Sequence, residues 1–405
     1  MSPRIIVIVM DELPGIDEAL ARVLDRVRPL GDEDVPVGHA AGRVLAVDAR
    51  AAVDLPPFDS SAMDGYAVRA RDTPGRLEIT GQSAAGHPAS DRLEPGCAAV
   101  ISTGAVVPGG ADAVVPVERT ALDGAYVQVD EVSPGTHVRP RGGDVRAGAV
   151  VVEAGVRLGP PQVAALAASG ASVARCTRTP RVFVLATGSE LRAPGETLRP
   201  GEIYESNATL LSAQVASAGA LAEVSPAVAD DADATRDALA RGLGFDVLIT
   251  SGGVSVGPHD LVRAALAELG AEEVLWRVAV KPGKPIAFAV AGRTLVFGLP
   301  GNPVSALVGF ELFVRPALDA LQGLRDPGPH YLAGRLTRAV RRNDGRDELL
   351  RARVRVAEGG PALEPLDGQE SHMIVRAASA DALVLVPSGR GELAAGAPVR
   401  YIRIA

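Results

Sequence analysis

Two glycine-rich segments, each with an acid close behind, follow apolar runs that predict strands. They read Thr187-Gly-Ser-Glu190-Leu and Thr250-Ser251-Gly252-Gly253-Val-Ser255-Val-Gly-Pro-His-Asp260. A loop between a strand and a helix leaves backbone N–H groups free to hold an anion. Oxygen ligands such as Glu190 and Asp260 favour Mg²⁺ with phosphate over zinc. Together the two loops predict a site for a phosphate-bearing ligand and magnesium, although either alone also suits a purely structural turn.

Cationic side chains stand on two turn-forming segments. One is Arg277-Val-Ala-Val-Lys281-Pro-Gly-Lys284-Pro, and the other is Arg139-Pro-Arg141-Gly-Gly-Asp144. The first lacks the Ser or Thr that follows Gly-Lys in a Walker A loop. Paired guanidiniums can fork onto phosphate. Both segments predict anion binding, and a solvated charge cluster stays open as the alternative for each.

Three further loops place small or acidic residues near predicted strand and helix ends. They contain Asp64 before a glycine, Thr103 in Ser-Thr-Gly, and Pro300-Gly-Asn302-Pro303. The last matches an N-cap with proline at the first helical position, whose free N–H groups point into the loop. An ordinary Asp-Gly turn, a simple loop and a well-capped helix remain the structural alternatives.

Charge and composition exclude several classes of protein. A net charge of −8 disfavours a duplex-binding protein, because nucleic-acid partners call for a basic surplus. Only two cysteines occur, Cys97 and Cys176, which excludes a disulfide scaffold and a Cys-x-x-Cys site. No apolar run approaches the roughly 18 residues of a transmembrane helix, so we expect a cytoplasmic protein with no membrane contact.

The elements that must position these residues change character along the chain. Short Val-rich runs between about 46 and 150 predict a β-rich region. Strands alternate with helices from 181 to about 325, which predicts a doubly wound parallel sheet. Ligands bind such sheets at the carboxyl ends of the strands, where loops 187–191, 251–260 and 300–302 fall. The tail from 331 to 405 alternates again and predicts a small β-barrel or sandwich.

A serine hydrolase is a competing interpretation. Gly253-Val-Ser255-Val-Gly fits the nucleophile elbow, with His330 or His372 later in the chain. The elbow serine should follow its strand directly, whereas Ser255 lies beyond two glycines. This motif therefore carries less weight than the phosphate interpretation.

Four of these motifs, in this order, resemble the molybdopterin molybdenumtransferase family, the MoeA-type proteins, which include the E domain of gephyrin. The residues are Ser-Ala-Met-Asp-Gly-Tyr-Ala-Val at 61–68, Ser-Gly-Gly-Val-Ser-Val-Gly at 251–257, Lys-Pro-Gly-Lys-Pro at 281–285 and Gly-Leu-Pro-Gly-Asn-Pro-Val-Ser at 298–305. The match runs from about residue 14 to the end of the chain.

The resemblance implies a reaction and an assembly. Such enzymes take adenylylated molybdopterin and molybdate, insert molybdenum at the dithiolene, and release AMP with the help of Mg²⁺. The resemblance further implies a homodimer, whose active cleft is shared between subunits, and transient contacts with the adenylylating enzyme and with acceptor molybdoenzymes. It leaves molybdate and tungstate both open. A catalytically silent scaffold or cofactor carrier of the same fold is the second hypothesis.

The implied architecture has four domains. A β-rich domain covers 46–146, an α/β molybdopterin-binding domain 181–327 and a C-terminal small β-barrel 328–405. A helical, mixed linking and dimerisation domain is discontinuous, at 1–45 and 147–180.

Site residues follow from the resemblance position by position. Asp64, Glu190 and Asp260 are expected to hold Mg²⁺, and Ser189 replaces a frequent aspartate beside them. The catalytic set is Asp64, Thr103, Asp144, Glu190, Asp260 and Lys281. The residues expected to bind substrate or anion are Arg139, Arg141, Ser251, Gly252, Gly253, Ser255, Arg277, Lys284, Pro300, Asn302 and Ser371.

Overall fold

A computed structural model describes residues 13–253 and 261–404. The chain divides into two compact units. One comprises residues 13–32 and 177–404, and the other comprises residues 33–176. None of the helices in the described ranges combines the length and the apolar character needed to cross a bilayer.

A six-stranded sheet, called here the central sheet, organises the first unit. Its strands, in spatial order, are Leu221–Val224, Arg181–Ala186, Val247–Ser251, Thr294–Leu299, Ala287–Ala291 and Glu272–Trp276. The first four run parallel, and the last two add antiparallel pairs at one edge. Inner strands such as Val247–Ser251 are buried along their whole length. Burial on both faces explains why they read as unbroken apolar runs.

Helices cover both faces of the central sheet, as the doubly wound prediction requires. They are Ile16–Leu24, Asn207–Ser217, Ala232–Gly242, Leu261–Glu268, Pro303–Gly309 and Arg315–Leu321, with a π-helical turn at Phe310–Val314 between the last two. Leu211 and Phe313 belong to the core on one face, and Leu239 and Val262 to the core on the other. Pro316 lacks the N–H that a continuous helix needs, which fits a changed hydrogen-bond register just before it.

The C-terminal part of this unit is a closed barrel. Its five strands are Leu332–Leu336, Asp347–Ala357, Gly360–Pro365, Ala382–Val386 and Pro398–Arg403. Pairing runs round the full circuit because Asp347–Ala357 bonds both Gly360–Pro365 and Ala382–Val386. The predicted β-barrel is therefore confirmed. Val280–Lys281 adds a short parallel strand to it, through Asp347 and Glu348.

The second unit is β-rich, as predicted. Its main sheet has six strands, in the spatial order Ala113–Pro116, Gly65–Val68, Cys97–Ile101, Gly75–Ser83, Tyr126–Val129 and Thr120–Asp123. Around a separate core lie the helix Pro160–Ala168 and short strands at Asp32–Pro36, Ala49–Arg50, Val150–Val152 and Val173–Thr177. The four-domain boundaries given above stay a prediction.

Candidate active site

A cavity of about 540 Å³ lies where three strands of the central sheet end. These strands are Arg181–Ala186, Val247–Ser251 and Thr294–Leu299. Their following loops line the cavity through residues that include Gly188, Glu190, Ser251, Gly252, Gly253, Gly301 and Asn302. The structure thus brings the described parts of the three loops together at the carboxyl edge of the sheet. Ser255 and Asp260 lie outside the described residues.

Two glycines allow the loops to approach one another this closely. Gly252 has φ +89°, and a Cβ there would lie 2.6 Å from the Thr187 carbonyl oxygen. Gly253 has φ +65°, and its Cβ would lie 2.6 Å from Val262 Cγ2. Any side chain at either position would meet both a strained backbone and an occupied space. The Gly-Gly pair is therefore a requirement of the loop geometry.

Asn207 connects the walls of the cavity. Its Nδ2 donates to Ser251 Oγ at 2.8 Å and to the Gly301 carbonyl at 2.7 Å. Ser251 is buried, and its hydroxyl lies 3.5 Å from the Pro300 carbonyl. Asn207 Oδ1 and Thr187 Oγ1 are buried and have no hydrogen-bond partner among the described residues. These two atoms are polar groups that a ligand in the cavity could satisfy.

Sequence reasoning did not assign Asn207 to the site, because Ser206-Asn207 before a helical pattern is equally typical of a helix N-cap. The helix Asn207–Ser217 has no side-chain cap from Ser206. Glu205 instead accepts from the Ala208 N–H at 2.7 Å. Asn207 was consequently free to turn into the site. The sequence signal that could have pointed to Asn207 is a side-chain amide shortly after the end of a strand, here Ile203–Tyr204.

Carboxylates stand at the rim of the cavity. Glu190 is exposed and folds over Gly188, where a Cβ would lie 2.6 Å from Glu190 Oε2. Ser189 N–H donates to Asp230 at 3.2 Å, and Asp230 N–H donates to Ser189 Oγ at 3.0 Å. Ser189 thereby ties the Glu190 loop to Asp230. Within the described ranges, no group of three or more His, Cys, Asp or Glu side chains is placed to hold a metal ion.

Two short parallel strands, Leu191–Arg192 and Ile203–Tyr204, form the mouth of the cavity. An ion pair braces them, with Arg192 Nη2 2.6 Å from Glu202 Oε1. The Arg199 N–H and the Arg192 guanidinium hold the pKa of Glu202 below its usual range. Ile203 and Tyr204 expose about half of their surface here, 54% and 45%. They add an apolar edge that sequence reasoning had not assigned.

The barrel contributes a loop to the same cavity. His372 and Ile374 line it, and the Ser371 carbonyl accepts from the Val304 N–H at 3.0 Å. Arg351 is only 1% exposed and positions this loop from inside. Its guanidinium donates to the carbonyls of Gly368, Glu370 and Met373 and to Gln369 Oε1. The predicted Ser371 thus lies at the start of the helix Pro303–Gly309.

The predicted cationic turn does not line this cavity. Lys281 Nζ lies 3.0 Å from Glu348 Oε1, and Lys281 faces a different groove. Lys284 is exposed, and its carbonyl accepts from the Val278 N–H. Arg277 has φ +66°, uncommon for a residue with a side chain, and its guanidinium lies 5.8 Å from the Trp276 ring centroid.

The second unit brings another group of predicted residues together. Asp64 Oδ1 accepts from the Thr103 N–H at 2.7 Å. The strands Ser60–Ser61 and Val138–Arg139 pair antiparallel, with Arg139 opposite Ser60. Gly104 N–H also donates to the Ser61 carbonyl at 2.8 Å. Asp64, Thr103 and Arg139 therefore lie on adjoining loops of one small cluster.

Arg141 and Asp144 are placed differently within that unit. The Arg141 guanidinium lies 2.6 Å from the Asp54 carboxylate, and the backbone N–H of Arg141 donates to Asp59 at 2.7 Å. The Ala147 N–H and the Arg141 guanidinium hold the pKa of Asp54 below its usual range. Asp144 is exposed, and its N–H donates to the Leu55 carbonyl at 2.9 Å. Some N–H donors of Arg141 are therefore already bonded to Asp54 and Asp59, and these donors stabilise the loop.

Comparison with known proteins covers nearly all of the chain. Residues 15–170 match the MoeA N-terminal region (domains I and II), residues 183–320 a probable molybdopterin binding domain, and residues 333–404 the MoeA C-terminal region (domain IV). A Mycobacterium tuberculosis relative, molybdopterin molybdenumtransferase 2, is 38% identical, covering 93% of this chain and 95% of that protein. A Haemophilus influenzae molybdopterin molybdenumtransferase is 34% identical, covering 95% and 97%. The crystal structure of a molybdopterin biosynthesis MoeA protein from Pyrococcus horikosii superposes with a TM-score of 0.82 at 32% identity, covering 98% and 100%.

Proposed function

The chain belongs to the MoeA-type molybdopterin molybdenumtransferase family, and from that premise we propose that it inserts molybdenum into molybdopterin during cofactor biosynthesis. The observation that supports this most is the cavity at the carboxyl edge of the central sheet. Glycine-permitted loops, two unpartnered buried oxygens and rim carboxylates meet there. Such a lining suits a ligand that carries both phosphate and polar ring atoms.

The substrates in this proposal are adenylylated molybdopterin and molybdate, and AMP is released. The Thr187 hydroxyl can donate to a phosphate oxygen, and Asn207 Oδ1 can accept from an N–H of the ligand. Ile203 and Tyr204 supply exposed apolar surface for a flat ring at the mouth. Tyr204 is already positioned, because its hydroxyl donates to the Glu196 carbonyl at 2.9 Å.

Magnesium fits the donor set. The Glu190 carboxylate lies at the rim and has no hydrogen-bond partner among the described residues, and hard oxygen donors are what Mg²⁺ prefers. Mg²⁺ in nucleotide sites takes one or two carboxylates together with substrate phosphates. We assign Glu190, Asp260 and Asp64 to it, as the family resemblance implies. When bound, the ion offsets negative charge on the phosphates.

The residues of the chain provide position more than covalent chemistry. Breaking a phosphoanhydride needs aligned phosphates and compensation of developing charge. The fixed Gly252–Gly253 loop and the Asn207–Ser251 contact hold the cavity walls in one geometry. Lys284, Arg277 and Arg139 are the cations proposed to attract the anionic substrates to an otherwise acidic protein. No protein nucleophile takes part in this scheme.

We further propose that the protein acts as a homodimer in the cytoplasm. Transient contacts with the adenylylating enzyme and with acceptor molybdoenzymes would deliver the substrate and remove the product. These assignments rest on the family resemblance.

The test is release of AMP by the purified full-length protein. Adenylylated molybdopterin and Mg²⁺ are supplied with and without molybdate, and AMP is quantified by chromatography. We expect AMP to appear only when molybdate is present and to be suppressed by a chelator of Mg²⁺. Substrate binding without molybdate-dependent AMP would reject the transferase and favour the silent carrier. Labelling of Ser255 by a fluorophosphonate would instead favour the hydrolase.

A further inference from the structure

The barrel carries a second concave surface, called here the arginine groove, of about 790 Å³. It shares no lining residue with the cavity at the edge of the central sheet. Its cationic lining residues are Lys281, Arg338, Arg341, Arg342 and Arg390. Its acidic lining residues are Asp344 and Glu348, which leaves an excess of three positive charges, five minus two. This excess is notable on a chain with a net charge of −8.

Two of the arginines are fixed by backbone carbonyls, which orient a guanidinium without neutralising it. Arg342 Nε donates to the Pro387 carbonyl at 3.1 Å, and Nη2 donates to the Ser388 carbonyl at 2.5 Å. Arg338 Nη2 donates to the Pro365 carbonyl at 2.8 Å and also meets the exposed Asp367 at 2.9 Å. Arg342 is therefore bonded to neutral carbonyls, whereas Arg338 also forms an ion pair with Asp367, an acid outside the groove.

A glycine makes the position of Arg342 attainable. Gly389 has φ +148°, and a Cβ there would lie 2.5 Å from Arg342 Cζ. The Gly389 N–H donates to the Asn343 carbonyl, and the Arg342 N–H donates to the Gly391 carbonyl. Loops 342–344 and 387–391 thus hold each other, with the guanidinium lying over the glycine. This arrangement is pre-organised, so little side-chain entropy remains to be lost when an anion binds.

The remaining charged residues of the groove are of two kinds: those that form ion pairs with each other, and those that are available to bind an anion. Lys281 is paired with the buried Glu348, and Arg390 lies 3.3 Å from Asp344 at the exposed rim. No hydrogen bond, ion pair or ring contact among the described residues engages the Arg341 side chain, which is exposed in the groove. Arg341 and Arg342 are therefore the two charges that neither groove acid compensates. None of the described lining residues is aromatic, so the groove offers no stacking surface for a base.

We propose that the arginine groove is an oxyanion site that takes a phosphate or diphosphate group. Arg341 and Arg342 both line the groove, and a guanidinium can grip the oxygens of a phosphate group through two N–H donors. The aliphatic floor formed by Val340 and Leu350 reduces competition from water. The proposal stands on these residues alone and does not depend on the proposed function.

Hydrogen exchange of the full-length protein, read by mass spectrometry with added pyrophosphate, tests the site locally. We expect slower exchange in peptides covering 338–344 and 387–392. R341Q should weaken the apparent affinity there about tenfold or more, and R341K should recover part of it. R403Q is the matched control, because Arg403 is an exposed barrel arginine with no side-chain contact among the described residues. Its protection should equal that of the unaltered protein.

The outcome that overturns the proposal is absence of protection in those peptides, or equal protection in R341Q and in the unaltered protein. Unchanged exchange of 299–307 in R341Q shows that the fold is intact. Molybdate, tested separately, distinguishes the source of the oxyanion. Protection by pyrophosphate supports a phosphate site, and protection by molybdate alone contradicts it. No turnover is required, so failure of AMP release leaves this test unaffected.

Discussion

Glu190 shows how far a residue can be assigned from its sequence context. The Thr-Gly-Ser-Glu motif after an apolar run predicts an acid at the end of a strand, and the structure places Glu190 at the rim of the cavity. The position of its carboxylate over Gly188 could not be predicted from the sequence, since it depends on the φ of Gly188, which is +154°. Local spacing therefore gives the chemistry, while the orientation of the side chain comes from the loop.

We predict that E190Q lowers molybdate-dependent AMP release by roughly 100-fold, the scale expected when one charge-stabilising group is lost. The substitution keeps the shape of the side chain but removes its charge. The matched control is E196Q, because Glu196 is an exposed acid in the same stretch of chain and does not line the cavity. Equal turnover in E190Q and E196Q would remove Glu190 from the proposed magnesium set.

Arg351 marks the limit of sequence reasoning at the same scale. Arg351, Arg353 and Arg355 alternate along the strand Asp347–Ala357, a pattern typical of a solvent-facing side. The structure buries Arg351 and leaves Arg355 exposed, since only Arg351 lies under the loop 366–373. The alternation of arginines along a strand does not reveal which of them is covered by a loop about 20 residues away in sequence.

Replacing Arg351 by glutamine should destabilise the protein by about 3 kcal/mol, because several buried carbonyls lose their donor together. R353Q on the same strand should cost only about 1 kcal/mol, because the half-buried Arg353 makes one side-chain hydrogen bond, from Nε to the Ser379 carbonyl. Unfolding in urea measures both. Similar losses in the two variants would mean that Arg351 does not organise the loop.

At the scale of elements, the glycine-rich loops connect the strands of the central sheet to the residues that line the cavity. Sequence reasoning predicted the loops and their position at the carboxyl edge of the sheet. It missed the strands Ala287–Ala291 and Glu272–Trp276, which pair antiparallel at the far edge. It also missed the joining of Val280–Lys281 to the barrel. Both depend on long-range pairing, which alternation of strands and helices does not reveal.

G252A and G270A form a matched pair for this loop. Both glycines have positive φ, +89° and +80°, but only at Gly252 would a Cβ meet another atom. The backbone cost for alanine is about 1–2 kcal/mol at either position. G252A should lose a further 1–3 kcal/mol or so from overpacking against Thr187, together with most of the activity. Thermal unfolding and AMP release check this, and equal behaviour of the two variants would refute it.

At the scale of the whole molecule, composition and alternation predicted the β-rich unit, the doubly wound sheet and a C-terminal barrel or sandwich, and the family resemblance implied the barrel. The closure of the barrel could not be read from local patterns, because it rests on the pairing of Asp347–Ala357 with Ala382–Val386. The predicted cations are also distributed more widely than their sequence spacing suggested. Lys281 faces the arginine groove, and Arg141 is engaged by Asp54.

The proposed homodimer belongs to this scale. Light scattering coupled to size-exclusion chromatography should give a mass of twice 41.5 kDa for the full-length protein. The value should persist as the protein is diluted through the micromolar range. A mass equal to one chain under the conditions of the AMP assay would contradict the dimer and leave the fold unaffected.

The most direct test of the central claim is a crystal structure of the protein with AMP, molybdate and Mg²⁺. We expect the AMP phosphate in the cavity at the carboxyl edge of the central sheet, within hydrogen-bond distance of Thr187 Oγ1 or of the Gly252–Gly253 loop. A nucleotide bound away from this cavity, with the cavity still open, would contradict the account.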